Sequence, residues 1–144
     1  MKSLWKRQPD LEQIRKFCEN TAVSHLGIEI LEVGPDFIKA RMPVDSRTIQ
    51  PAGLLHGGIS VALAESLGSI ASVYCNDDPS LMPVGIEINA NHLRSARSGF
   101  VTGICRPIHC GRTLHVWETQ IFNEDQKLLS ISRLTVTLVP KERK

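Results

Sequence analysis

Residues 50–58 read Gln50-Pro51-Ala52-Gly53-Leu54-Leu55-His56-Gly57-Gly58, and Ile59 to Cys75 continue as ISVALAESLGSIASVYC. The second part holds no proline and one charged residue, Glu65. Its apolar residues surround a helix instead of lining one stripe, which predicts a buried helix over about 57–75. A carboxylate inside such a helix costs several kcal/mol unless it is paired or partly wet. Two glycines open the helix, where the first N–H groups lack intrahelical partners and the macrodipole favours negative charge. Glu65 and the glycine pair are the features that the rest of the chain must explain.

Upstream, residues 10–19 (DLEQIRKFCE) begin with Asp10 as N-cap and carry Leu11, Ile14, Phe17 and Cys18 at helical spacing, so a short packing helix is predicted. Thr21–His25 is a connection with room for a helical turn. Residues 27–33 alternate apolar and acidic side chains, and residues 37–42 form a second strand beyond the turn Gly34-Pro35-Asp36. The stretch from Pro43 to Leu55 is a loop of about a dozen residues, a length that in a compact domain usually serves function. Downstream, Asn76-Asp77-Asp78-Pro79 ends the long helix. Strand-like runs follow at about 83–93, 99–108, 113–123 and 127–139, read as a meander, and the charged tail PKERK is read as frayed. The expected fold is α+β: a six-stranded antiparallel sheet wrapped around one long helix, with further cover from a second subunit.

The 144 residues fit one domain, 1–144, and no internal repeat or linker divides them. A net charge of +2 and seven aromatics (two Trp, one Tyr, four Phe) argue against a general nucleic-acid binder. No uncharged apolar run approaches the length of a membrane span, and the N-terminal MKSLWKRQPDLEQ lacks the apolar core of a secretory signal. Cys18, Cys75, Cys105 and Cys110 form neither C-x-x-C nor a zinc spacing. They read as reduced thiols in a cytoplasmic protein, used as small apolar side chains.

Three segments carry a family resemblance: RTIQPAGLLHGGISVALAESLGS (47–69), VGIEINANHLRSARSG (84–99) and PIHCGRTLHVWETQIF (107–122). The chain resembles the hotdog-fold acyl-CoA thioesterases, in particular the hydroxybenzoyl-CoA and 1,4-dihydroxy-2-naphthoyl-CoA hydrolase branch. The likeness runs from Trp5 to Val139, and the spacing Q-P-x-G-x-x-H-G-G-x-x-x-x-L-A-E is its most specific part. It implies that Glu65 attacks the thioester or activates a water that does. It implies that the Gly57 N–H is the oxyanion donor, that Gln50 and His56 are its side-chain partners, and that Ser69 is the hydroxyl one turn past the carboxylate. It further implies that positions Gly85, His92, Leu93, Arg94, Ser95, His109, Cys110, Gly111, Arg112, Thr113 and Leu114 contact the CoA portion. No metal or other cofactor is implied, since CoA is part of the substrate. The implied reaction is hydrolysis of an aromatic acyl-CoA such as hydroxybenzoyl- or 1,4-dihydroxy-2-naphthoyl-CoA, with a role in menaquinone biosynthesis, proofreading or salvage.

The residues supply independent reasons. An N–H at a helix start suits an oxygen that becomes anionic, and glycine allows close approach of a substrate to the backbone. Eight residues separate Gly57 from Glu65, about 12 Å of helix rise, so the two on one helix are too far apart to serve one carbonyl. A site shared between two chains follows, and the resemblance adds a dimer of dimers. Ser69 stands at i+4 from Glu65, on the same face. Burial raises a glutamate's proton affinity and hydrogen bonds to its charged form lower it, and the order of residues does not decide between them.

Other readings stay open. Glu65 also fits a structural ion pair, His56 and Gln50 fit loop hydrogen bonds, and Ser69 fits a small residue at a helix contact. Arg94, Arg97, Arg106 and Arg112 fit the CoA phosphates or a solvated basic rim. A hotdog hydratase or dehydratase, and a non-catalytic acyl-CoA or acyl-carrier-protein binder, are the rival functions. The side chains Leu54, Leu55, Ile59, Leu67, Ile70, Met82 and Val84 are candidate pocket walls.

Overall fold

A computed structural model describes residues 3–142. The apolar run after the glycines is α3 (Gly57–Tyr74), with His56 as N-cap and Cys75 as C-cap. Before it come α1 (Leu11–Cys18), the single turn α2 (Ala22–His25), β1 (Glu29–Val33) and β2 (Ile38–Pro43). After it come β3 (Leu81–His92), β4 (Phe100–Cys110), β5 (Leu114–Phe122) and β6 (Leu128–Pro140). Asp10 caps α1 by accepting from the N–H groups of Glu12 and Gln13, at 2.9 and 3.2 Å. Thr21 caps α2 in a reciprocal pair with Ser24. Within PKERK, Pro140 closes β6 and the Lys141 N–H donates to the Ser80 carbonyl at 2.8 Å, so the start of the tail is tied down; 143–144 lie outside the described residues.

All six strands form one antiparallel sheet in the order β1-β2-β4-β5-β6-β3. This corrects the expected meander. Strands β4, β5 and β6 do follow one another, but β3 pairs with β6 at the far edge, and β2 takes the place beside β4. Alternation along a strand marks which face it buries and not which strand lies beside it, so the order was not readable from the runs themselves.

One face of α3 packs on the sheet through Leu63, Ala64, Leu67, Gly68 and Ala71, all at most 1% exposed where apolar. Small residues set the distance. A Cβ on Gly68 would lie 2.6 Å from Leu134 Cδ2, and one on Gly103 would lie 3.1 Å from Leu67 Cδ1. Beneath the helix, buried Trp117 donates from Nε1 to Ser72 Oγ at 2.7 Å, which satisfies a polar pair inside the core. The opposite face of α3, including Val61, Ala62, Glu65, Ser69 and Ile70, is only half-buried. The sheet curls over one side of the helix, and Glu65 lies on the other.

On α1, Ile14 and Cys18 turn inward as expected, but Phe17 is 83% exposed. Helical spacing marked Phe17 as core. Eight residues make little more than two turns, and the sheet covers only the Ile14–Cys18 side.

Candidate active site

The loop before α3 is held by a buried threonine. Thr48 Oγ1 donates to the Pro43 carbonyl at 2.7 Å and accepts from the Asp45 N–H at 3.1 Å. The Thr48 carbonyl accepts from the His56 N–H at 2.9 Å, and the Leu55 N–H donates to the Ala96 carbonyl at 2.8 Å. These bonds set where α3 begins. At that start, His56 Nδ1 accepts from the Gly58 N–H at 2.9 Å, and the His56 carbonyl accepts from Ile59 and Ser60. The Gly57 N–H is left with no acceptor among the described residues.

That N–H lines a hollow of about 390 Å³ with Gln50, Leu54, Leu55, Ser60, His92, Leu93, Arg94 and Ser95 as neighbours. His92 lies directly over the helix start: a Cβ on Gly57 would be 2.8 Å from its Nε2. Gln50 accepts through Oε1 from the Ala52 N–H, so its carbonyl shapes the turn and its side-chain NH2 has no partner among the described residues. His56 acts as the helix cap; its ring is not among the residues lining this hollow.

Glu65 and Ser69 line a second hollow, of about 410 Å³, with Phe17, Cys18, Thr21, Val23, Ala62, Ser66 and Ile70. The two hollows share no residue. The Glu65 carboxylate has no hydrogen bond or ion pair among the described residues, and Ser69 does not bond to it. Gly85 of β3 fits beneath it: a Cβ there would fall 2.8 Å from Glu65 Oε1. Gly85 is thus placed beside the carboxylate and not among the basic residues with which the family likeness grouped it.

The two basic clusters do not meet within one chain. His92 pairs with Ser130 on β6, while the Thr113 carbonyl accepts from the Leu138 N–H. Eight residues of strand separate those anchors, roughly 27 Å. His92–Ser95 sit at the N-terminal end of α3 and His109–Leu114 at its C-terminal end. Arg94 donates from Nη1 to the Leu128 carbonyl at 2.8 Å, and Arg106 is committed to Asp36 at 3.0 Å. Arg112 and Arg97 are exposed.

Of the candidate pocket walls, Leu54 and Leu55 line the Gly57 hollow and Ile70 the Glu65 hollow. Leu67 is fully buried in the core instead, because it sits on the sheet side of α3. Met82 joins Ile70 and Ser69 in an adjoining hollow. Sequence reasoning missed Phe17, Thr21 and Val23 as walls of the Glu65 hollow. An aromatic side chain at the solvent limit of a short helix was the available signal.

The model of the Thioesterase superfamily matches residues 52–130. The chain belongs to that superfamily, has its hotdog fold, and is a thioesterase. It is 48% identical to the 1,4-dihydroxy-2-naphthoyl-CoA hydrolase of Escherichia coli K12 over 136 residues, covering 94% of this chain and 99% of that protein. A crystal structure of a thioesterase from Haemophilus influenzae is 52% identical, with a TM-score of 0.90 and 95% of each chain covered. One of a mutant thioesterase from Pseudomonas aeruginosa is 51% identical, with a TM-score of 0.93, covering 96% of this chain and all of that one. Among the described residues no helix is long and apolar enough to cross a membrane.

Proposed function

We propose that the protein hydrolyses aromatic acyl-CoA thioesters at sites that two copies of the chain share. One observation carries this reading: the uncommitted Gly57 N–H and the uncommitted Glu65 carboxylate face separate hollows of the same chain. Each hollow holds half of what thioester hydrolysis needs. The Gly57 N–H stabilises the oxyanion, assisted by the Gln50 NH2. Glu65, from the partner copy, either attacks the carbonyl carbon or takes a proton from the attacking water. The C–S bond then breaks, and CoA leaves as the thiol. Neither metal nor redox cofactor takes part.

The edge of the sheet supports the pairing. Among the described residues strand β3 has β6 on one side and no strand on the other, and it exposes Met82, Val84 and Ile86 at 41, 37 and 57%. An edge this long and apolar is otherwise an aggregation hazard. Likeness to the E. coli naphthoyl-CoA hydrolase supports an aromatic acyl group, and the Phe17–Val23–Ile70 walls beside Glu65 suit one. Superfamily membership favours hydrolysis over the hydratase and binder alternatives. The four unbridged cysteines fit a cytoplasmic setting.

Complementation tests the shared site. Glu65→Gln and Gly57→Val are each expected to be nearly inactive. Mixed after subunit exchange, they form hybrids with one intact site of two, so about a quarter of wild-type thiol release returns if pairing is statistical. No recovery in demonstrated hybrids would overturn the shared site. A thiol-release panel of aroyl-CoA, fatty acyl-CoA and acyl-carrier-protein thioesters tests the acyl group, with the highest kcat/KM expected for aroyl-CoA.

A further inference from the structure

The hollow beside Glu65 continues past Ser69. Two further hollows, of about 460 and 250 Å³, follow the outer face of α3 toward its C-terminal end. The larger shares Phe17, Ser69 and Ile70 with the Glu65 hollow, and the smaller shares Phe17 and Ile70 with both. The three form one groove between α1 and α3. From Glu65 to Val73 its floor rises about 12 Å along the helix.

Phe17 and Ile70 are the side chains common to all three hollows, and they enter the groove from opposite elements, α1 and α3. Ile70 is half-buried, while Phe17 is 83% exposed and contributes little to the core. The ring is nonetheless held in place, because α1 is anchored on its inner side. Ile14 and Cys18 are buried, Arg15 donates from Nε and Nη2 to the Ile30 carbonyl at 3.0 and 2.9 Å, and Thr21 Oγ1 donates to the Cys18 carbonyl at 2.6 Å. The far wall is fixed as well: Arg7 donates from Nη2 to the Val73 carbonyl at 2.6 Å.

We propose that Phe17 determines acyl specificity: its ring stacks on an acyl ring held in the Glu65 hollow and bars long chains from the groove beyond. The inference rests on the reading that Glu65 serves the thioester carbonyl.

The position of the carbonyl sets the geometry. With the carbonyl at Glu65, the acyl group occupies the hollow of about 410 Å³ that Phe17, Val23 and Ile70 help to line. A single or fused aromatic ring fits a space of that size. An aromatic side chain in the wall favours such a ring over an aliphatic group of like area. A long straight chain does not end there. It must pass between Phe17 and Ile70 to reach the stretch lined by Val73 and Met82, or turn out into water. Removing the Phe17 ring joins the hollows without touching Glu65 or Gly57.

The test measures thiol release from benzoyl-CoA and dodecanoyl-CoA by the whole protein, by Phe17→Ala and Phe17→Leu, and by each combined with Glu65→Gln. Both substrates share the CoA portion, so damage to CoA binding, folding or assembly cancels in the ratio of their kcat/KM values. Phe17→Ala is expected to lower kcat/KM for benzoyl-CoA about tenfold and raise it for dodecanoyl-CoA about tenfold, a change in the ratio of about a hundredfold. Phe17→Leu keeps bulk and loses the ring, so it should lose on benzoyl-CoA without gaining on dodecanoyl-CoA. A ratio left unchanged by Phe17→Ala, with release still dependent on Glu65, overturns the proposal and leaves the site standing. Release that survives Glu65→Gln overturns the site and the proposal with it. An oligomer that dissociates in Phe17→Ala, with both substrates losing equally, assigns the ring to a contact between copies and also overturns the proposal.

Discussion

Glu65 is a charge on a helix whose other side is dry, and its environment explains why it survives there. It lies on the half-buried face of α3, so water reaches it and full desolvation is avoided. Gly85 beneath it leaves the carboxylate room. Glu65→Gln keeps the shape and removes the proposed base or nucleophile. A drop in kcat of about 10²–10⁴ is expected, with the unfolding midpoint nearly unchanged; near wild-type turnover of benzoyl-CoA would remove Glu65 from the mechanism. Gly85→Ala tests the placement from the other side. Its Cβ would sit 2.8 Å from Oε1, so the carboxylate must move. A displacement near 1 Å costs up to about 10² in rate, and the loss should appear in kcat more than in KM.

The helix and the sheet meet through small residues and one buried polar pair, which makes their contact intolerant of change. Trp117→Phe would preserve most of the packing but leave Ser72 Oγ without its 2.7 Å donor. A loss of about 1–3 kcal/mol in urea unfolding is expected, with kcat nearly retained because neither hollow is touched. Local patterning located all six strands and the long helix to within a few residues of where they lie. It found the cap of α1 as well, because Asp10 acts on neighbours two and three residues away, but it did not read His56 as the cap of α3. It misplaced Phe17, since periodicity reports which side chains share a face and not how far the next layer extends. Strand order escaped it too, because antiparallel partners leave no local mark that distinguishes β4 from β6 as the neighbour of β3.

For the molecule as a whole, the exposed edge of β3 and the incomplete hollows point the same way. Ile86→Lys puts a charge on that edge, a common means of blocking strand pairing. The variant is expected to sediment as a monomer, keep its far-ultraviolet circular dichroism, and lose most of its thioesterase activity. A fully active monomer would contradict the shared site. The same reasoning bears on the basic residues. With His92–Ser95 and His109–Leu114 at opposite ends of one chain, a single CoA meets both only if two or more chains contribute. Arg94→Ala and Arg112→Ala should each raise KM for CoA thioesters while sparing short synthetic thioesters, and an equal effect on both substrates would argue against phosphate recognition.

The sequence by itself determined the central helix, its glycine start and the lone carboxylate, because these depend on residue type and spacing along one element. It also implied that Gly57 and Glu65 of one helix cannot share a carbonyl, since helix rise is a fixed quantity. Only the tertiary structure decided which N–H at the helix start is free, which glycine accommodates the carboxylate, and that Gly57 and Glu65 open into separate hollows. Those facts depend on how distant segments cross, and the hydrophobic patterning that drives their collapse is blind to which polar atoms end up facing one another.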